Sequence, residues 1–352
     1  KDPFIGSSSI ENSIEAKSTI TWPSPIESSA SSGTITYATK NPTTFITSND
    51  LNYDWYYTGD SNTDNLRWQS DKTIYDPCPS GYRVVDGGET GVWEKARFRD
   101  NTIDGINNGI LFKSYSTQPL WYPFTGFRQG SNGLLSNVAQ ISNIWSATTD
   151  NDLAYCMTLN DYGNVWTSSL LYKSHGLPIR CLKKNNDTTS IEHIDISSIE
   201  TANCYIISHI GSYKYKAVKG NSIEPVGNIS SVEVLWESFG TNITPNIGDL
   251  ISDVSYSDGY IQFSTSSVFK EGNAVIAAKD ASGTILWSWH IWMTDQPEDQ
   301  IYTNNAGTMM DRNLGATSAT PGDIGALGLL YQWGRKDPFI GSSSIENSIE
   351  AK

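Results

Sequence analysis

The sequence predicts a mainly β protein with minor α content, built as an α+β module and a β-sandwich in tandem repeat. Three observations carry that prediction. The 352 residues include 12 Trp and 18 Tyr, are rich in Ser, Thr, Asn and Gly, and are only 18% charged, a composition of β-rich, loop-rich proteins rather than helical ones. Between residues 203 and 293, apolar or alternating runs of strand length follow one another. Residues 1–17, KDPFIGSSSIENSIEAK, recur without a change at 336–352.

The repeat sets the organisation. Its offset is 336 − 1 = 335 residues, so the simplest account is an array of that period, of which this chain shows one period and an overlap. The competing account is a single segment copied to both ends. Tyr331-Gln332-Trp333-Gly334-Arg335 runs straight into the second copy, which places both copies inside a module rather than at its boundary. We therefore expect one lobe shared between the two extremities, with the piece from about residue 296 completing the N-terminal piece of the next repeat, covalently or in another subunit. The expected division is 1–183 for the larger part of that module, 184–201 for a linker, 202–295 for an immunoglobulin-like sandwich and 296–352 for the beginning of the next module.

Six runs read as sandwich strands: Cys204 to Ile207, Tyr213 to Val218, Val232 to Trp236, Tyr260 to Phe263, Ala274 to Ala278 and Ile285 to Trp292. Turn signals at Ser257-Asp258-Gly259, Glu271-Gly272-Asn273 and Ala281-Ser282-Gly283 separate several of them, and six or seven strands in this span fit a β-sandwich. The stretch Lys183 to Thr201 is polar and reads as a linker, although Ile191, Ile194 and Ile196 would suit an edge strand. Asn186, Asn228 and Asn242 each open a glycosylation-type sequon. Gly307 to Arg312 reads as a strand and Asp323 to Trp333 as a short helix with Ala326, Leu327, Leu330 and Trp333 on one face. A second helix is expected over Gly91 to Arg99, burying Val92, Trp93, Ala96 and Phe98. Trp121, Tyr122, Phe124 and Phe127 read as core.

A net charge of −14 disfavours phosphate backbones and anionic lipid surfaces, and no run of 18 apolar residues is present to insert into a membrane. The chain opens on Lys1 without a start Met, so the true N-terminus is expected elsewhere. Four cysteines, Cys78, Cys156, Cys181 and Cys204, lack zinc or CxxC spacing and allow three full disulfide connectivities or partial pairing with buried thiols.

Four stretches carry a resemblance. Tyr75-Asp76-Pro77-Cys78-Pro79-Ser80-Gly81-Tyr82-Arg83-Val84, Met310-Asp311-Arg312-Asn313-Leu314-Gly315, Tyr331 to Phe339, and Trp145-Ser146-Ala147-Thr148 leading to Ile179-Arg180-Cys181 resemble the major paralogous domain family first named from Fibrobacter succinogenes and common in Bacteroidetes surface proteins. The family order begins with DRNLGA and ends with the RC strand, so the resemblance implies a C-type-lectin-like module running from about 296 through 352 and on into 18 to 183. Tyr82 stands where the family prefers Trp. The resemblance also implies a Cys78 to Cys181 disulfide, leaving Cys156 and Cys204 as core thiols or a second bridge.

Catalytic signatures are not found: His175, His193, His209 and His290 are scattered, and neither GxSxG nor a phosphate-cradling glycine loop occurs. A non-catalytic protein without a cofactor is expected. Asp150, Asp152 and Asp161 offer oxygens for calcium, but the sugar-binding triplets of calcium-dependent lectins are missing, and solvated loop acids are the simpler reading. The candidate ligand face is Asn151, Asp152, Asn160, Tyr162, Asn164, Trp166 and Tyr172, since Tyr, Trp and Asn together stack on and hydrogen-bond to a sugar or peptide; packing of Trp166 and Tyr172 into the module competes with it. The expected function is that of an extracellular surface or filament adhesin whose partners are a glycan or protein ligand and neighbouring repeats or subunits of the same protein. A structural stalk assembled head to tail is the alternative.

Overall fold

The computed structural model describes residues 15–48, 54–57, 64–98, 101–113, 118–184 and 195–345. These residues are mainly β, with two short α-helices, Ile35–Lys40 and Val92–Ala96. His193, Ile191, Ile194, Arg99 and the Asn186 sequon lie outside the described residues.

Residues 202–294 form two facing sheets. One orders Cys204–Ile207, Ile285–Met293, Gly272–Lys279 and Ser231–Ser238; the other orders Ser212–Lys216, Tyr260–Thr265 and Ile251–Ser257. Alternation explains the facing. Tyr213 and Tyr215 turn inward while Ser212, Lys214 and Lys216 stay exposed, as a period of two requires. The inner faces meet in a core containing Tyr205, Tyr215, Phe263, Ile276, Trp287 and Trp289, where Tyr215 lies 4.8 Å from Tyr205 and 5.4 Å from Trp289, ring centre to ring centre. All six expected runs fall on strands. Ile251–Ser257 is a seventh, hidden in the sequence because only Ile251 of its residues is buried. The loop before it hangs on Glu237, whose carboxylate accepts from the backbone N–H of Gly248 (2.9 Å), Leu250 (3.1 Å) and Ile251 (2.7 Å). The expected linker is partly structured: Asp195 pairs with Lys214, the Ile196 N–H donates to Lys214 O at 3.0 Å, and Ile196 packs on the sandwich core.

The remaining residues build a second lobe from both ends of the chain. Leu182–Lys183 pairs with Tyr82–Arg83 on one side and Gly307–Met310 on the other, and Gly176–Leu177 sits between Phe127–Arg128 and Tyr331–Gln332. Buried tryptophans tie the ends further: Trp145 Nε1 donates to Tyr331 O (2.9 Å), Trp333 Nε1 to Ser146 O (3.0 Å) and Trp55 Nε1 to Trp333 O (2.7 Å). Residues 299–345 thus pack against residues 15–183 of the same chain. Tyr82, in the place of the resemblance's Trp, uses its hydroxyl to donate to Asp299 at 2.9 Å. The Cys78–Cys181 disulfide is formed, while Cys156 and Cys204 are buried thiols, that of Cys156 pushed up to about 12 by desolvation.

Lobe and sandwich share a core. Trp68, Trp145 and Trp333 from the lobe cluster with Trp236 and Trp292 from the sandwich. Asn203 Nδ2 donates to Ile74 O (2.7 Å) and Asp76 O (3.0 Å).

Three expected elements are corrected. In place of the helix over Asp323 to Trp333 there is a 3-10 turn, Ile324–Ala326, and a strand, Tyr331–Gln332. Gly328 takes φ +75, which breaks an α-helix, and Leu329 N–H donates to Leu314 O at 3.0 Å instead. The apolar residues of the segment are buried, so they were reporting core rather than an amphipathic face. The helix expected over Gly91 to Arg99 is shortened to Val92–Ala96, because Arg97 adopts φ 59; Val92, Trp93, Ala96 and Phe98 are buried. The closing strand is Leu182–Lys183, directly after the Arg180-Cys181 pair that the resemblance placed on it. Of the aromatic run, Trp121, Tyr122 and Phe124 are buried, and Arg180 lies 3.7 Å over the Tyr122 ring.

Candidate ligand groove

Strands Ile141–Asp150, Leu153–Asn160 and Val165–Tyr172 form a three-stranded sheet with Val165–Tyr172 at its edge. Opposite the two-residue step from Cys156 to Thr158, the edge strand advances three residues, from Trp166 to Ser169. That bulge at Thr167 and Ser168 breaks the alternation and bends the strand.

The seven candidate residues divide between the two ends of this sheet. Asn151 and Asp152 form the turn before Leu153–Asn160, and Tyr172 pairs with Leu153 beside them. Asn160, Tyr162, Asn164 and Trp166 lie at the far end, roughly 23 Å away for seven strand steps. No single site joins them. Asp150 and Asp152 are separated from Asp161 in the same way, so the three do not share a cation, and among the described residues no three His, Cys, Asp or Glu are grouped for a metal.

The near end is partly exposed, with Tyr172 44% exposed, but ring stacking and hydrogen bonds tie its groups together. Tyr172 stacks on His175 at 5.8 Å, and Lys173 Nζ donates to Asn151 O at 3.0 Å. Lys173 is buried over the Trp333 ring at 5.0 Å, and desolvation draws its ammonium down to about 8. His175 is held down to about 4 by burial, and its Nδ1 accepts from Gly130 N–H at 2.9 Å.

The far end is open. Asn160 Oδ1 fixes the turn by accepting from Tyr162 N–H (3.1 Å) and Asn164 N–H (3.0 Å), which leaves Tyr162 82% exposed. Trp166 is 48% exposed and lines a groove of about 810 Å³ with Val165, Thr167, Ser168 and Ser169 on one side and Glu89, Glu94, Arg97 and Phe98 on the other. Thr167 Oγ1 donates to Glu94 Oε2, pinning helix Val92–Ala96 to the strand. Ser168 Oγ is buried without a hydrogen-bond partner. An aromatic face beside two carboxylates and a guanidinium matches what a polyhydroxylated ligand needs: a surface for its C–H face and acceptors and donors for its hydroxyls.

Sequence reasoning missed Glu89, Glu94 and Arg97. They stand some 70 positions upstream, Glu94 on helix Val92–Ala96 and Glu89 and Arg97 just before and after it, and no local signal connects them to Trp166.

A second cleft, of about 580 Å³, is lined by Arg83, Lys95, Lys183 and Lys184. Most of its positive charge is already matched: Arg83 pairs with Asp86, Lys183 with Asp299 and Lys184 with Glu200.

Comparison with protein-family models, with curated proteins and with solved structures finds no match to this chain.

Proposed function

We propose that this chain is a non-catalytic, extracellular adhesin of a cell surface or filament, in which a C-type-lectin-like lobe presents the Trp166 groove and an immunoglobulin-like sandwich acts as spacer between repeats. The observation that carries the reading is the half-exposed Trp166 facing Glu89, Glu94 and Arg97 across an open groove. Large aromatic side chains are left in water at a cost, and those beside convergent polar groups are where binding energy concentrates. The Cys78–Cys181 bridge fits an oxidising compartment.

The ligand class favoured by this chemistry is a neutral or amino sugar, stacked on Trp166 and hydrogen-bonded to Glu89 and Glu94. Binding of the full chain to immobilised glycans and matrix proteins tests the reading. Trp166→Ala is expected to weaken glycan binding by at least about tenfold, while Tyr172→Ala, at the other end of the strand, leaves it unchanged. Equal loss in both variants, or no binding at high avidity, would remove the groove from the function and leave the structural stalk.

A further inference from the structure

Lys173 and Asn65 stand 108 positions apart in the chain and meet inside the lobe, where Lys173 Nζ donates to Asn65 Oδ1. Both side chains are held in place. Lys173 follows the edge strand Val165–Tyr172; its carbonyl accepts from Trp333 N–H at 3.3 Å, its Nζ lies 5.0 Å over the Trp333 ring, and Nζ also donates to Asn151 O at 3.0 Å. Asn65 sits in a turn clipped on both sides. Asp64 Oδ1 accepts from Leu66 N–H at 2.9 Å, and Arg67 Nε reaches back to Asp64 O at 3.0 Å while its Nη1 donates to Trp333 O at 3.1 Å. Trp333 thus fixes both the amine and the turn that carries the side-chain amide.

Lys173 is buried, and both of these hydrogen bonds go to neutral oxygens. Among the described residues no carboxylate pairs with it directly; Asp54, Asp152 and Asp64 act on it through space. A buried ammonium without a direct counter-charge is costly. Desolvation draws it down to about 8, so the unprotonated, nucleophilic amine is at hand near neutral pH. Because Oδ1 is bonded to Cγ, an amine in hydrogen-bond contact with that oxygen is also close to the separation at which it attacks the carbon.

We propose that Lys173 Nζ and Asn65 Cγ become joined in an amide bond between side chains, formed by the folded chain itself. The amine lone pair adds to Cγ, the Cγ–Nδ2 bond breaks, and Nδ2 departs as ammonia with the proton that Nζ gives up. Atoms and charge balance without an oxidant or a cofactor. Asp54, fully buried and held above the usual carboxylate range by desolvation, carries that proton from the incoming nitrogen to the departing one. The product replaces a buried cation with a neutral amide and so removes the cost of its burial. It also ties the turn at 64–67 to the end of strand Val165–Tyr172 with a link that reductants do not open, and the inference stands apart from what the Trp166 groove binds.

Intact mass of the full chain, folded, then denatured and reduced, tests the bond without requiring any variant to fold. The chain is expected to be lighter than its sequence by one ammonia. An asparagine that cyclises on its own backbone also loses ammonia, so two further measurements separate the cases. Lys173→Arg keeps the charge but cannot form the bond, and is expected at its full sequence mass. Proteolysis of the parent is expected to release one branched peptide that joins the segment around Asn65 to the segment around Lys173. Asp54→Asn is expected to emerge largely unlinked, forming the bond at least about a hundredfold more slowly. A parent still at its full sequence mass after prolonged incubation at mildly alkaline pH overturns the bond, as does an ammonia loss that persists in Lys173→Arg. An Asp54→Asn chain linked as completely as the parent overturns the proton relay.

Discussion

Opening the Cys78–Cys181 bridge by replacing both residues with Ala is a perturbation whose size follows from chain position. The bridge spans 103 residues, and for a loop of that length the lost restriction of the unfolded chain corresponds to about 4.7 kcal/mol at 25 °C. Spread over a cooperative unit of the size of this lobe, that is a fall in melting temperature of roughly 10 to 19 °C. Both ends of the bridge are held in the native state by other bonds: Cys78 N–H donates to Asp76 Oδ1 at 2.8 Å, and Cys181 O accepts from Met310 N–H at 3.0 Å. The fold itself should therefore survive, with the change expressed in the unfolded state. Calorimetry of the parent, the reduced parent and the double variant should give one lowered transition for the last two, with thiol reagents still failing to reach Cys156 and Cys204. A shift under about 2 °C would show that the unfolded lobe is already restricted in this region and would refute the chain-entropy argument.

Acid should destabilise the protein through two histidines that the fold keeps neutral. Burial lowers His290 to about 3 and His175 to about 4 from an ordinary 6.5. A depressed base costs nothing above the unfolded value, so stability is complete above pH 6.5 and is lost as pH falls toward 4, by on the order of 3 kcal/mol for each group. Urea midpoints of His175→Gln/His290→Gln should be flatter over that window; an unchanged pH profile would exclude the histidines as its source. Asp54 and Arg67 form a fully buried pair, with Arg67 between the rings of Trp55 and Trp333 at 4.7 and 4.9 Å. Asp54→Ala should cost about 3 to 5 kcal/mol by stranding the cation, and Asp54→Leu/Arg67→Met should recover most of it in chemical denaturation. A double variant no better than the single one would mean that the charge pair is needed in itself.

The sandwich was the legible part of the fold. Its strands run from four to nine residues among those in Cys204–Ile207 to Ile285–Met293, long enough for alternation to show, and turn residues punctuate them. Ile251–Ser257 escaped because it turns its side chains to water and leaves hardly any apolar period. The lobe was far less legible element by element. Several of its strands, such as Tyr82–Arg83, Gly176–Leu177 and Tyr331–Gln332, are two residues long, below the length at which any periodicity exists, and they are strands only because residues distant in the chain pair with them. Leu327, Leu330 and Trp333 misled for the same reason: in a segment buried on all sides, helical spacing of apolar residues is coincidence.

The candidate site was legible as a region but not as a surface. A run of Asn, Tyr and Trp marks turns and an edge strand, and its aromatics Tyr162, Trp166 and Tyr172 are exposed at one end or the other. What decides which of seven residues can act together is the length of Leu153–Asn160, which holds the two turns apart, and the bulge at Thr167 and Ser168, which depends on pairing with Cys156 and Thr158. The opposite wall is set by a different accident of packing: Arg97 ends its helix in a left-handed conformation, and Glu94 is tied to the edge strand by Thr167. None of these has a local code. The bond between Thr167 and Glu94 links the groove's two walls directly, so its loss separates geometry from chemistry: Thr167→Val keeps Trp166, Glu89 and Arg97 in place by composition while freeing helix Val92–Ala96 from the strand. Ligand affinity that survives Thr167→Val but not Trp166→Ala would mean that stacking alone carries recognition; affinity lost in both would mean that the groove acts as one rigid unit.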